Sequence, residues 1–162
     1  MIKIVFVCLG NICRSPMAEF YMRDLIEKKG LSSKFKIISR ATSMEEYGNP
    51  VHRGTRQKLA EHGISCVGKR AELLTVDELD EFDYVIIMDR NNRSAVERLA
   101  RSGGCALEKK VKEEKLFSLT YFSGKGGDIA DPWWTGNFED TWQDVSSGCD
   151  GLLNYLVREN KC

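Results

Sequence analysis

The feature that most constrains the fold is Ile2–Val7, a nearly unbroken run of β-branched and aromatic residues. A strand that is apolar on both faces has to be covered on both faces, as happens inside a parallel sheet. A turn over Cys8–Ser15 follows, and apolar residues then recur at helical spacing from Pro16 to Lys29. The start of the chain therefore predicts a buried strand, a loop and a helix that packs on the sheet.

The remaining chain continues to alternate between strand-like and helix-like stretches, which indicates a parallel sheet wrapped on both sides. We expect an α/β fold: a single three-layer domain over residues 1–162, with a four-stranded parallel sheet and helices on both faces. Ligands of such folds bind at the carboxyl ends of strands. Further strands are predicted at Phe35–Ser39, Tyr84–Met88 and Leu116–Leu119, helices at Thr55–His62, Thr75–Phe82, Asn91–Ser102 and Phe138–Glu159, and loops at Ala41–Pro50 and Tyr121–Asn137.

Charge and cysteine usage argue against several classes of function. Lys plus Arg number 24, as do Asp plus Glu, so a zero net charge gives no general attraction to nucleic acid or to an anionic membrane. No apolar run approaches the roughly 20 residues that span a bilayer, and Met1–Leu9 lacks the cleavage site of a signal peptide. The six cysteines form no C-x-x-C pair, and no cluster of histidine, cysteine or carboxylate residues suggests a metal, so we expect no cofactor. Because the chain lacks a signal peptide and is long enough to fold without disulfides, we expect free thiols in a reducing cytoplasm.

The segment between the first strand and the first helix carries a C-x5-R-S pattern. A loop that turns its amides inward at a helix start forms an anion site. Gly10 and Asn11 tolerate the left-handed backbone that such a loop needs, Arg14 can grip two phosphate oxygens, and Ser15 can donate a hydrogen bond to the Cys8 sulfur. A thiol in such a field is acidified, which predicts that Cys8 is a thiolate nucleophile directed at phosphorus.

The sequence V-C-L-G-N-I-C-R-S-P-M-A-E, residues 7–19, resembles the signature of the low-molecular-weight protein-tyrosine-phosphatase family. This resemblance implies hydrolysis of phosphotyrosine and small aryl phosphomonoesters through a phosphocysteine on Cys8, with Arg14 as the phosphate clamp. The phosphate-binding loop would comprise Leu9, Gly10, Asn11, Ile12, Cys13, Arg14 and Ser15. The resemblance extends over nearly the whole chain and also includes Ser39–Ser43, Phe82–Tyr84, Met88-Asp89 and Asp131–Trp134.

A thiolate alone expels a phenoxide poorly, so a general acid is expected. The resemblance points to Asp131, because the family carries its acid in an Asp-Pro pair that aromatic residues follow. The proline restricts Asp131 to extended geometry, and Trp133 and Trp134 are expected to shield its carboxyl group from water. The same carboxylate would later activate the water that hydrolyses the phosphocysteine. Asp128, three residues earlier, is the weaker candidate.

The resemblance also implies supporting residues and walls for the site. Ser39 matches a position that hydrogen-bonds the loop asparagine, here Asn11, and Asp89 matches a position that orients groups of the loop. Glu45 stands where many relatives carry an aromatic residue, and its charge would disfavour acidic peptides. The expected substrate wall comprises Leu9, Glu45, Trp133 and Trp134.

Other activities of the same fold stay open from the sequence. Arsenate reductases need additional cysteines as a relay, and Cys66 and Cys105 lie far apart in the sequence. Protein-arginine phosphatases tend to carry a threonine where this loop has Ile12. A non-catalytic phosphate binder would keep the loop without turnover. Cys13 could close a reversible disulfide with Cys8, as pairs at these positions do in resembling enzymes.

The expected partners follow from this chemistry. They are a phosphotyrosine-bearing protein or a small phosphomonoester, and inorganic phosphate as product and inhibitor, with the chain itself a monomer or weak dimer. Neither His52 nor His62 has a partner in the sequence that implies a catalytic role.

Overall fold

The computed structural model describes residues 1–159 and 161 and contains one four-stranded parallel sheet. The strands are β1 (Ile2–Cys8), β2 (Phe35–Ala41), β3 (Tyr84–Ile87) and β4 (Leu116–Ser118). Their order in the sheet is β2-β1-β3-β4, so β1 pairs with β2 on one side and with β3 on the other. Cys8 therefore ends an inner strand, where it is in register with Ala41 of β2.

Helices cover both faces of the sheet, which confirms the predicted α/β fold. Alternate residues of β1 enter different cores: Ile4, Phe6 and Cys8 belong to one core, and Val5 and Val7 to the other. No helix within residues 1–159 and 161 is both long and apolar enough to cross a bilayer. The helices are α1 (Arg14–Lys28), α2 (Arg53–Glu61), α3 (Val76–Glu81), α4 (Arg90–Ser102), α5 (Cys105–Lys110), α6 (Leu119–Ser123), α7 (Pro132–Thr135) and α8 (Phe138–Arg158), with a 3₁₀ turn at Ser32–Lys34 and a π turn at Val111–Lys115.

The segment predicted as the loop Tyr121–Asn137 is partly helical, and this prediction was wrong. It contains the end of α6 and all of α7. Both helices are five residues or shorter, too short to show an apolar period in the sequence. The helix α5 and the π turn were missed as well: α5 buries none of its residues, so it leaves no apolar stripe.

The longest helix, α8, packs very closely against α6. Two glycines on α8, Gly148 and Gly151, face α6 directly. A Cβ atom on Gly148 would collide with the side chain of Leu119, and one on Gly151 would collide with the carbonyl group of Phe122. The approach of the two helices therefore depends on the absence of side chains at these positions.

Candidate active site

Hydrogen bonds from neighbouring segments to its carbonyl groups hold the loop between β1 and α1 in place. Four of its carbonyl oxygens accept hydrogen bonds from the surrounding chain, at distances between 2.8 and 3.0 Å. Within the described residues, the amides of residues 9–13 donate to no protein acceptor. Because the carbonyl groups bond to the surrounding chain and the amides stay unpaired, the loop forms a concave site that can bind an anion. The pairs are Cys8 with the amide of Thr42, Leu9 with that of Ser43, Ile12 with that of His52, and Cys13 with Oγ1 of Thr55.

Asn11 organises the back of this loop. It has a φ of 58°, within the described chain the only left-handed residue other than glycine. Its Nδ2 donates to Oγ of Ser15 at 2.8 Å and to Oγ of Ser39 at 2.9 Å. Its Oδ1 accepts from the amide of Glu72 at 3.1 Å, which sets the orientation of the amide group. The predicted contact between Ser39 and Asn11 is therefore present.

These bonds also set the direction of the hydroxyl proton of Ser39. The hydroxyl of Ser39 donates to the carboxylate of Glu19, so its oxygen is free to accept from Asn11. The oxygen of Ser15 likewise accepts from Asn11 and lies 3.0 Å from Sγ of Cys8. The hydroxyl of Ser15 and the thiol of Cys8 are therefore within hydrogen-bond distance, and either group can be the donor.

Glu19 and Lys69 belong to this network although the sequence reasoning missed them. Glu19 is only 3% exposed, and its carboxylate lies 2.7 Å from Arg23 and 3.5 Å from Nζ of Lys69. Burial lowers the pKa of Lys69, and the Glu19 carboxylate opposes part of that shift. The sequence did offer a signal, because Ser15, Glu19 and Met22 recur at helical spacing and so share one face of α1. The structure buries all three.

Arg14 is buried to 2% exposure beneath the loop. Its NH1 donates to Oδ2 of Asp89 at 2.7 Å and to the carbonyl of Ile129 at 2.9 Å, and its NH2 lies 3.4 Å from Oδ2 of Asp131. Burial alone would lower the pKa of Arg14, but the charge of Cys8 and the two aspartates outweigh it and raise this pKa. The guanidinium therefore stays cationic. Its Nε is the one buried side-chain nitrogen or oxygen in the described part of the chain with no hydrogen-bond partner.

The two cysteines of the loop have different environments. Cys8 ends β1, and its Sγ lies 3.0 Å from the hydroxyl oxygen of Ser15 at the start of α1. Cys13 is 4% exposed, and burial, with the nearby charge of Cys8, raises its pKa well above the ordinary thiol value, although Arg14 acts in the opposite direction. Cys13 therefore remains a neutral thiol at neutral pH.

Asp131 caps α7 and also faces Arg14. Its Oδ1 accepts from the amide of Trp133 at 3.1 Å, while its Oδ2 points toward the guanidinium. Its backbone is extended, as the following proline predicted. Trp133 is 52% and Trp134 79% exposed, while the side chain of Asp131 is 21% exposed. Asp128 instead forms an exposed ion pair with Arg90.

One cavity brings most of the predicted residues together. Asn11 and Ser15 do not line it, because their side chains lie behind the loop, where Ser39 also lies. Glu46 lines the cavity and was missed, whereas neither Cys66 nor Cys105 lines it. No cluster of His, Cys, Asp or Glu in residues 1–159 and 161 could hold a metal ion. The lining residues are Cys8, Leu9, Gly10, Ile12, Cys13, Arg14, Glu45, Glu46, Asp131, Trp133 and Trp134.

The two histidines have structural contacts. Nδ1 of His52 accepts from the amide of Gly54 at 3.0 Å and so caps α2. The ring of His52 stacks on Phe138 and meets Trp133 edge-on, with ring centres 5.7 Å apart. His62 ends α2 and stacks on Trp142. Neither histidine lines the cavity.

Known proteins of one family are similar to this chain over nearly its full length. Residues 3–162 match the family described as low molecular weight phosphotyrosine protein phosphatase. The low molecular weight protein-tyrosine-phosphatase YfkJ of Bacillus subtilis is 40% identical over 162 residues, 99% of each chain, and PtpA of Staphylococcus epidermidis is 39% identical over 160 residues, 98% of this chain and 96% of the other.

Solved structures agree with the fold. The crystal structure of YfkJ matches with a TM-score of 0.88 and 39% identity, covering 98% of this chain and 96% of that one. The protein tyrosine phosphatase of Entamoeba histolytica, with Hepes in its active site, matches over the full length of both chains with a TM-score of 0.85 and 25% identity. The family matches almost the entire chain, and the relatives are close to 40% identical. The chain therefore belongs to the low molecular weight phosphotyrosine protein phosphatase family.

Proposed function

We propose that the chain hydrolyses phosphotyrosine and small aryl phosphomonoesters through a phosphocysteine, with Cys8 as nucleophile, Arg14 as phosphate clamp and Asp131 as general acid and base. Membership of the family makes the chain a phosphoric monoester hydrolase. The steps and the residue roles are our proposal, and they rest on the geometry of one cavity.

The observation that carries the proposal is the unpaired Nε of Arg14. A buried guanidinium nitrogen without a partner is costly, and here it belongs to a residue lining the same cavity as Cys8 and Asp131. A phosphate oxygen would supply the missing acceptor. The free amides of residues 9–13 would bind the remaining oxygens, which is the arrangement that stabilises charge in phosphoryl transfer.

The reaction has two steps. In the first, Sγ of Cys8 attacks phosphorus, the bond to the leaving oxygen breaks, and Asp131 gives that oxygen a proton. In the second, Asp131 takes a proton from water as the water oxygen attacks phosphorus, the sulfur–phosphorus bond breaks, and phosphate leaves. Oδ2 of Asp131 already faces the cavity beside Arg14, 3.4 Å from NH2.

An aryl leaving group fits the walls of this cavity. Leu9 is 42% exposed and lines it, as do the half-exposed Trp133 and the more exposed Trp134. Flat apolar surfaces favour an aromatic ring. Because Cys66 and Cys105 do not line the cavity, it offers neither of them as a cysteine relay to Cys8, which disfavours arsenate reduction. Since Cys8 acts only when reduced, we propose the cytoplasm as its compartment.

Turnover of para-nitrophenyl phosphate by three variants tests the proposal. Cys8→Ser should abolish turnover, and Asp131→Asn should lower kcat by about 10²- to 10⁴-fold because the leaving oxygen receives no proton. Asp128→Asn is the matched control, since Asp128 pairs with Arg90 at the surface, and it should keep wild-type kcat. Turnover that survives Cys8→Ser would contradict the proposal.

Parallel assays separate the alternatives within the fold. Phosphotyrosine peptides, phosphoarginine and arsenate with a thiol reductant are compared by kcat/KM on the intact protein. We expect the highest value for phosphotyrosine. A higher value for phosphoarginine or arsenate would replace the proposed substrate, and no turnover of any of them would indicate a phosphate binder.

A further inference from the structure

Two carboxylates stand at the mouth of the cavity whose floor binds anions. Glu45 and Glu46 both line it, and Glu46 lies over the loop, since a Cβ on Gly10 would be 3.1 Å from Cγ of Glu46. Nδ2 of Asn49 donates to Glu46 at 2.7 Å, which holds that side chain in place. Across residues 1–159 and 161, no lysine or arginine pairs with either glutamate.

This arrangement is unfavourable for an incoming phosphate taken alone. Arg14 is the only cation among the lining residues, and it already contacts Asp89 and Asp131. A phosphate dianion has to pass Glu45 and Glu46, and like charges at short range repel. A positive group on the substrate, close to the phosphate, would turn this repulsion into attraction at the mouth while the phosphate binds the floor.

The tryptophans of the mouth favour the same kind of group. Trp133 and Trp134 line the cavity and expose 52% and 79% of their surface. Tryptophan faces attract lysine and arginine side chains through cation–π contacts. Carboxylates and exposed indole rings therefore surround the entrance together, and both bind cations.

From this we infer that the preferred substrates are phosphotyrosine peptides with lysine or arginine directly beside the phosphotyrosine, recognised by Glu45 and Glu46. The inference rests on the proposed function. It adds a preference for the residues around the phosphotyrosine. In the proposed mechanism Cys8, Arg14 and Asp131 would contact only the phosphate and the leaving oxygen, so they set no such preference.

Three phosphotyrosine peptides that differ only in the flanking residues test this inference. The flanks are Arg and Lys in the first peptide, Gln in the second, and Asp and Glu in the third. At low ionic strength, kcat/KM for the basic peptide should exceed that for the neutral one by about fivefold, as expected from two exposed charge pairs. The acidic peptide should be the poorest substrate, and added salt should reduce the preference because exposed charges are screened.

The double variant Glu45→Gln/Glu46→Gln should bring the ratio of basic to neutral peptide close to one, whereas the surface variant Glu113→Gln should keep the wild-type ratio. Glutamine retains an oxygen that accepts from Asn49, so the loop keeps its support. Equal rates on all three peptides, or a preference that survives the double variant, would overturn the inference and leave the proposed function standing. No turnover of any peptide would instead refute the proposed function.

Discussion

At the scale of single residues, Asn11 joins the loop to the strands around it. Its side chain bonds Ser15, Ser39 and the amide of Glu72, and its backbone has a φ of 58°. Asparagine meets both demands, because it tolerates left-handed geometry better than most residues and carries an amide that donates and accepts. The Gly-Asn pair in the sequence predicted the backbone, and the family resemblance predicted the bond to Ser39. The contact with the amide of Glu72, from a distant segment, was not predicted.

Substitutions at Asn11 separate these two roles. Asn11→Ala loses the hydrogen bonds and strains the left-handed backbone, so the free energy of unfolding should fall by about 3 kcal/mol. Asn11→Gly loses the same bonds without the strain, and it should be about 1 kcal/mol more stable than the alanine variant. Urea unfolding at neutral pH measures both values. Equal stabilities for the two variants would show that the positive φ is not required.

At the scale of elements, the contact between α6 and α8 depends on Gly148 and Gly151. Alanine inside a helix normally stabilises it by about 1 kcal/mol relative to glycine. At Gly151 the added methyl would meet the carbonyl group of Phe122, which is backbone and cannot rotate away. Overpacking of this kind costs about 1–3 kcal/mol or more, so the steric effect should exceed the gain in helix propensity.

Gly151→Ala should therefore lower the free energy of unfolding by about 2 kcal/mol. Asn154→Ala, on the exposed side of the same helix, is the control and should leave stability unchanged or slightly higher. Thermal unfolding of both variants, followed by circular dichroism, measures the difference. A Gly151→Ala protein as stable as Asn154→Ala would mean that α8 shifts away from α6 at little cost.

The elements differ in how well the sequence predicts them. The strand predicted at Ile2–Val7 is observed at Ile2–Cys8, because a continuous apolar run has few alternatives inside a parallel sheet. Most of α6 and all of α7 lie in the segment predicted as loop, since one turn of helix shows no period. Leu119, where α6 begins, was predicted as the end of a strand. The positions of both helices depend on tertiary contacts and on the cap that Asp131 provides.

The residues of the site also differ in how well the sequence predicts them. Cys8, Arg14 and Asp131 stand out in local motifs, and the structure brings them to one cavity. Glu19 lies in the signature over residues 7–19 without an assigned role there, whereas Lys69 and Glu46 carry no motif and their positions depend on contacts between distant segments. The exposure of Trp133 and Trp134 was not predicted either, because it depends on how α7 is placed against the rest of the chain.

At the scale of the whole molecule, buried thiols couple folding to pH. Cys149 is fully buried against α1, and burial raises its pKa well above the ordinary value. In the unfolded chain the thiol ionises near pH 8.5, while in the folded chain it keeps its proton. The folded state then binds more protons than the unfolded state, so stability is full below this pH and falls as the pH rises.

Each such thiol contributes a loss of up to about 1.4 kcal/mol per pH unit above its unfolded pKa. Cys149→Ala removes one of them, so its unfolding free energy should fall less steeply than that of the wild type between pH 8.5 and 10. Cys105→Ala, at an exposed thiol, should keep the wild-type slope. Urea unfolding at a series of pH values measures the slopes, and parallel curves for Cys149→Ala and wild type would refute the coupling.

The position of β1 inside the sheet also determines when the enzyme can mature during synthesis. The strand ending at Cys8 needs β2 and β3 as neighbours, and Arg14 meets Asp131 from 117 residues further along the chain. A chain leaving the ribosome presents its first strand long before these partners are made. The surroundings of Cys8 are therefore complete only after Asp131 has been synthesised, although β1 itself is made much earlier.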